Sequence, residues 1–237
     1  MSPSGGVTRN TLRRQISGAL RDEVLAGRLP SGKEFTVKQI AEQYGVSATP
    51  VREALFDLTS QGLLVSDEHR GFQVRVFSAG DYRSIVQARS VIVEGVFSGC
   101  RPPAVRGEAM ASVRRRASEA SRAAKGGELD VLIGYDLRFW RELSAFVGNP
   151  HISEFLATLR VQGWVFLLHR LRTHPTSAER DRLLWLDHEA LADAVTSEDR
   201  AAVLAMLRAY YAREVEWAEQ LLAAERTPPA DAPVSRD

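Results

Sequence analysis

Cysteine is nearly absent: Cys100 is the only one in 237 residues, so no internal disulfide can form and no thiolate metal cluster is available. No apolar run approaches the ~20 residues that span a bilayer, and the N-terminal residues carry no signal-peptide core. These absences predict a reduced, cytoplasmic setting without a membrane partner. Three catalytic signatures are also missing. There is no GxSxG elbow and no GxxxxGK[ST] phosphate loop, and His188-Glu189 lacks the second histidine of HExxH. The chain is therefore read as not an enzyme; the enzymatic alternative would use Asp136 and His188 as an acid–base pair in a helical pocket. Charge of neither sign dominates, since 31 Lys/Arg face 30 Asp/Glu. Residues 1–77 hold ten cations and eight anions, a balance of +2. Any nucleic-acid affinity must then come from a few well-placed cations or from two copies acting together.

The strongest local pattern lies between residues 36 and 62. Thr36-Val37-Lys38-Gln39 is a Thr-x-x-Gln capping box, which predicts a helix running to Tyr44. Gly45 supplies the left-handed residue that ends it. Ser47 or Thr49 caps the next helix, with Pro50 in its first turn, where a missing N–H costs little. Val51, Ala54, Leu55 and Leu58 form an apolar stripe, leaving Ala48, Thr49, Arg52 and Phe56 outward. A short helix with an arginine on its free face, braced by a preceding helix, suits a DNA major groove. Leu63-Leu64-Val65 and Phe72-Gln73-Val74-Arg75-Val76 then read as two strands of a hairpin.

The segments "GVSATPVREAL" and "LTSQGLLVSDEHRGFQVRV" resemble the winged helix-turn-helix of GntR-family transcription regulators. The rest of the chain resembles the FadR-type branch of that family, with a C-terminal all-helical effector-binding (FCD) domain in its smaller six-helix version. The resemblance implies a mainly α protein: three helices and a β-hairpin, then a helical bundle. It also implies a sequence-specific regulator, read as a repressor, in which DNA affinity is set by a small-molecule effector. The wing would reach the minor groove. A homodimer on an inverted-repeat operator follows, because one such motif reads only a short half-site. A DNA-binding protein with no effector is the other alternative.

The domain reading is a disordered tail over 1–10, a DNA-binding domain over 11–77, an effector-binding and dimerisation domain over 78–226, and a disordered tail over 227–237. Leu12, Ile16, Leu20 and Val24 step by four, which predicts a first helix over 12–26. Ser78 caps the helix after the linker. Further helices are expected at 81–100, 103–125, 128–147, 151–173, 178–196 and 199–224, broken at Gly or Pro clusters.

The expected DNA-contacting set is Lys38, Ser47, Ala48, Thr49, Arg52, Arg70 and Gly71. Arg52 is the base reader, because a guanidinium bonds guanine O6 and N7 together; the competing reading pairs it with Glu53 or Glu42. Ala48 stands where the family commonly has a base-reading arginine.

In the helical half, ionisable or polar groups interrupt apolar stripes at Arg89, Asp136, His188 and Tyr210. A buried charge is costly unless paired or met by a ligand. Four such residues on four helices predict an effector pocket; the alternative is a structural network of Arg89 with Asp136 and His188 with Tyr210. Many relatives in the resembled branch bind a divalent metal through an Asp-x-x-x-His pair and two later histidines. Here Asp136 and His188 keep two of those positions, while Trp140 and Tyr210 replace two histidines. No metal and no other cofactor is expected. The implied effector is an organic anion, with its charge on Arg89 and its apolar part against Trp140.

Overall fold

The computed structural model describes residues 4–67, 70–99, 107–174 and 186–226. The N-terminal unit is built from α1 (Ser4–Leu25), β1 (Glu34–Phe35), α2 (Val37–Tyr44), α3 (Ala48–Ser60), β2 (Leu64–Asp67) and β3 (Gly71–Val74). The helical unit follows: α4 (Ala79–Gly99), α5 (Glu108–Gly126), α6 (Leu129–Ala145), α7 (Pro150–Thr173), α8 (His188–Thr196) and α9 (Arg200–Arg226).

The predicted turn chemistry is realised. Thr36 accepts from the Gln39 N–H at 3.2 Å, and the Gln39 side chain accepts from the Thr36 N–H at 2.8 Å. Gly45 closes α2 at φ 64°. Ser47 is the N-cap residue of α3, but its side chain makes no cap hydrogen bond. Val51, Ala54, Leu55 and Leu58 are buried against α1, which contributes Ile16, Leu20 and Val24. Polar ties reinforce the packing: Glu23 of α1 accepts from Gln43 and from the Tyr44 hydroxyl, and Arg13 pairs with Asp57 at 3.4 Å.

Two expectations are corrected here. The tail expected to be disordered is helical from Ser4 onward, because extending an existing helix fixes one residue per added bond and no proline intervenes before Leu12. The hairpin is also joined by a third strand. β1 pairs antiparallel with β3 in the order β1-β3-β2, with Phe35 opposite Phe72. Two residues are too few to show a strand period. Residues 1–3 and 227–237, and the parts of the expected helices at 100–106 and 175–185, lie outside the described residues.

The link between the units is short and clamped. Ser78 and Asp81 cap each other: the Asp81 N–H donates to Ser78 Oγ at 3.0 Å, and the Ser78 N–H donates to Asp81 at 2.9 Å. Arg75 from the end of the wing bonds the same carboxylate at 3.0 Å and lies over the Phe77 ring. Further contacts tie α7 to the N-terminal unit. Gln162 donates to the Gln61 carbonyl at 2.7 Å, and Arg172 donates to the Ala26 and Gly27 carbonyls just past α1. Inside the helical unit, Tyr82 of α4 stacks on Phe166 of α7 at 4.6 Å, and both meet Trp217 of α9 edge-on. These rings hold α4, α7 and α9 around a common axis, while α5 and α6 pack as a pair with α8 against α5.

Candidate DNA-binding face and buried polar cluster

The exposed side of α3 and the wing together line a cleft of about 740 Å³ whose walls include Lys38, Ala48, Arg52, Arg70 and Gly71. Ser47 and Thr49 are exposed at the start of α3. Among the described residues Arg52 makes no ion pair, since Glu42 pairs with Lys38 at 3.8 Å instead. The guanidinium of Arg52 is thus solvated and available. Arg70 is partly engaged, at 3.6 Å from Glu34 and with its N–H on Asp67. Gly71 has a backbone reason to be glycine. Its φ is 91°, and a Cβ there would lie 2.8 Å from the Phe35 carbonyl oxygen of β1. Phe56 is exposed on α3 and meets Phe72 of the wing edge-on at 5.6 Å.

In the helical unit Arg89, Asp136, His188 and Tyr210 all converge on one cavity, together with Tyr82, Arg160, Trp164 and Glu214. The pairing differs from both expected pairs. Asp136 is fully buried on α6, and its cation is Arg160 of α7. Arg160 Nε donates to Asp136 Oδ2 at 2.7 Å, and its Nη2 donates to Oδ1. Trp164 Nε1 adds a 2.6 Å bond to Oδ2, and His188 Nε2 lies 2.9 Å from Oδ1. The remaining guanidinium nitrogen, Nη1, donates to the Tyr210 hydroxyl at 3.0 Å. A bidentate arginine–carboxylate pair of this kind is strong and directional.

Burial alone would raise the Asp136 carboxyl, but the Arg160 charge and the bonds from His188 and Arg160 hold it well below the usual carboxylate range. Burial opposes the charge on Arg160 too, and Asp136 overcomes it, holding the guanidinium firmly protonated. Burial pushes the Tyr210 hydroxyl up, with Arg160 offsetting part of the effect.

Arg89 is different. It is buried on α4, with its guanidinium over the rings of Trp140 at 5.7 Å and Tyr211 at 5.2 Å. Among the described residues no carboxylate lies within ion-pairing distance of it. Trp140 does not line the Asp136 cavity. It lines a smaller adjoining space that Arg89 and Arg160 also reach, and its indole N–H is buried without an acceptor.

The family-implied metal does not fit this donor set. Both Asp136 oxygens are taken by Arg160, Trp164 and His188, Tyr210 accepts from Arg160, and of His188 only the buried Nδ1 is left without a partner, one nitrogen where a metal needs several ligands. Trp140 can only donate. Arg160 already supplies the positive charge beside Asp136.

Sequence reasoning missed Arg160 and Glu214, which is buried on α9 and accepts from the Tyr82 hydroxyl. Arg160 lines the cavity beside Gly163, Trp164 and Leu167, but α7 is buried on several sides, so no interrupted stripe marks it in the sequence.

Residues 12–74 match "Bacterial regulatory proteins, gntR family", and residues 102–213 match the FCD domain. A protein described as a probable D-xylose utilization operon transcriptional repressor of Paenarthrobacter nicotinovorans is 40% identical over 90 residues; the match spans 38% of this chain and 39% of that protein. The HTH-type transcriptional regulator YdhC of Bacillus subtilis (strain 168) is 23% identical over 88% of this chain and 91% of its own. Among solved structures, E. coli McbR/YncC superposes with a TM-score of 0.71 at 21% identity, over 89% of this chain and 98% of that one. A GntR-type regulator of Rhodococcus sp. RHA1 gives 0.68 at 22% identity, over 90% and 99%. These two likenesses establish the fold. With a GntR-type winged helix-turn-helix at its N-terminus and an FCD domain behind it, the chain is a DNA-binding transcription regulator of the GntR family.

Proposed function

We propose that this regulator is a cytoplasmic homodimeric repressor without catalytic activity, released from an inverted-repeat operator by a small organic anion bound in the helical unit. The observation that carries the effector reading is Arg89. A buried guanidinium resting on two aromatic faces, with no carboxylate partner among the described residues, is a receptor for an anion rather than a structural tie. The D-xylose relative is described as a repressor, which supports repression here and says nothing about which molecule acts.

The cavity beside Asp136 measures only about 30 Å³, room for a water and not for an organic molecule. An effector therefore binds only by spreading the helices or displacing side chains around Arg89 and Arg160. That requirement is the route to a response: a ligand that favours the opened bundle shifts the population toward it. Helix α7 carries Arg160 and also the Gln162 and Arg172 contacts to the N-terminal unit, so its displacement moves the DNA-binding helices. Paired ligands test this reading. In a thermal-shift screen of small aromatic and aliphatic carboxylates against their neutral amides, some carboxylates should stabilise the protein while their amides do not. Arg89→Met should abolish the response. Stabilisation that survives Arg89→Met, or a screen in which amides serve as well, contradicts the assignment.

We also infer that no divalent metal is resident, since Arg160 fulfils the charge role beside Asp136. Elemental analysis of protein purified without chelator and then dialysed should find no stoichiometric zinc, manganese or nickel. One equivalent per chain overturns this inference.

A further inference from the structure

A second space lies where the two units meet, outside the Asp136 cavity. It is a cleft of about 310 Å³ bounded by Arg21 of α1 and by Gln61 and Leu63 after α3 on one side. Leu137, Trp140 and Arg141 of α6 and Ala157 and Val161 of α7 face them. That volume lies at the lower end of small-molecule sites, and the junction of two domains is a common place for one. Three arginines stand in the walls: Arg160, which is paired with Asp136, and Arg21 and Arg141, which come from different domains.

Among the described residues Arg21 and Arg141 make no ion pair, although Arg21 is half-buried. Glu154 also lines the cleft, but it is exposed and pairs with neither. Burial, and then the nearby Arg141 charge, lower the Arg21 guanidinium from its ordinary value, and Asp22 offsets only part of this. Like charges brought together across an interface repel unless something sits between them.

The hydroxyls in the cleft carry no charge that could offset the two cations. The Ser144 hydroxyl donates to the Arg141 carbonyl, Ser153 to the Ser144 carbonyl, and Thr158 to the Glu154 carbonyl. Their hydrogens are spent on backbone carbonyls of α6 and α7. On the inner wall the Trp140 indole N–H is buried without an acceptor.

We propose that this inter-domain cleft is a separate anion-binding site, taking an oxyanion between Arg21 and Arg141 with any apolar portion against Leu63, Leu137 and Val161. An oxyanion there replaces a repulsive contact between the two units with a bridge. It touches α1 of the DNA-binding unit and α6 of the helical unit at once, so its occupancy biases how the two units sit. Trp140 and Arg160 also line the space beside Arg89, so the two anion sites adjoin and an Arg89 variant is needed to tell them apart.

Inorganic phosphate at pH 8 is the probe, compared with sodium chloride at matched ionic strength. In differential scanning fluorimetry, phosphate at about ten times its dissociation constant should raise the wild-type midpoint by about 3–5 °C above the chloride control. Arg21→Gln and Arg141→Gln should each lose most of that rise. Without phosphate both variants should melt at or above the wild-type temperature, because each removes a repulsion. Arg89→Gln should keep the phosphate response. An equal rise in wild type, Arg21→Gln and Arg141→Gln places the anion elsewhere and overturns the proposal. So does the absence of any rise beyond chloride, or loss of the response in Arg89→Gln alone.

Discussion

Replacing Arg160 with methionine is expected to lower the unfolding free energy by about 3–5 kcal/mol, the cost of leaving one partner of a buried ion pair uncompensated. For a chain of this size that is a fall in melting temperature of about 6–20 °C. Asp136 would keep its bonds from Trp164 and His188, but the full charge opposite it would be gone. Converting Asp136 to leucine in the same chain should restore much of the loss, because two apolar groups replace the pair. The pH dependence has a definite sign. In the folded protein the Asp136 carboxyl is held below its ordinary value, so the stability it contributes is fully present above the unfolded value of about 4 and is lost as pH falls below it. The gap between wild type and Arg160→Met should therefore be widest at neutral pH and narrow as pH drops below about 4. Urea unfolding at pH 7 and pH 3.5 measures it; a gap that does not change with pH contradicts the assigned pairing.

The second large effect is on DNA. Arg52→Ala should cost about 1–3 kcal/mol at each half-site, and a dimer loses the contact twice. Operator affinity then falls by roughly thirty-fold or more, with the fold intact because the side chain is exposed and unpaired. Lys38→Ala should behave differently, weakening all sequences alike and reducing the salt slope by about one per subunit. Its ion pair with Glu42 is exposed and contributes little to stability. Mobility-shift titrations at two salt concentrations separate the two behaviours. If Arg52→Ala binds its operator like wild type, α3 does not read bases through this residue.

Local chemistry was the legible part of this chain. The Thr36–Gln39 box, Gly45 and the stripe from Val51 to Leu58 are short-range signals, and they define α2 and α3 almost to the residue. Strand β1 was not legible, because Glu34 and Phe35 become a strand only through pairing with Gln73 and Phe72, some forty residues later. The convergence of Arg89, Asp136, His188 and Tyr210 could be read from interrupted stripes, but their pairing could not. Helix α7 is buried on several sides, through Leu159, Val161, Trp164, Val165 and Phe166, so no single apolar face marks Arg160 as an intruder. Without Arg160, the sequence offers Asp136 only Arg89 or a protonated His188 as its cation. With Arg160 beside Asp136, Arg89 is left without a carboxylate partner among the described residues, and the effector reading depends on it.

The central claim is a dimeric, sequence-specific regulator that reads DNA through α3 and the wing. Selection of bound duplexes from a random-sequence library, using the full-length protein at physiological salt, tests it most directly. The account predicts enrichment of a two-fold symmetric motif with half-sites about one helical turn apart, and loss of that enrichment in Arg52→Ala. A single asymmetric motif, or no enrichment over the starting library, would contradict it.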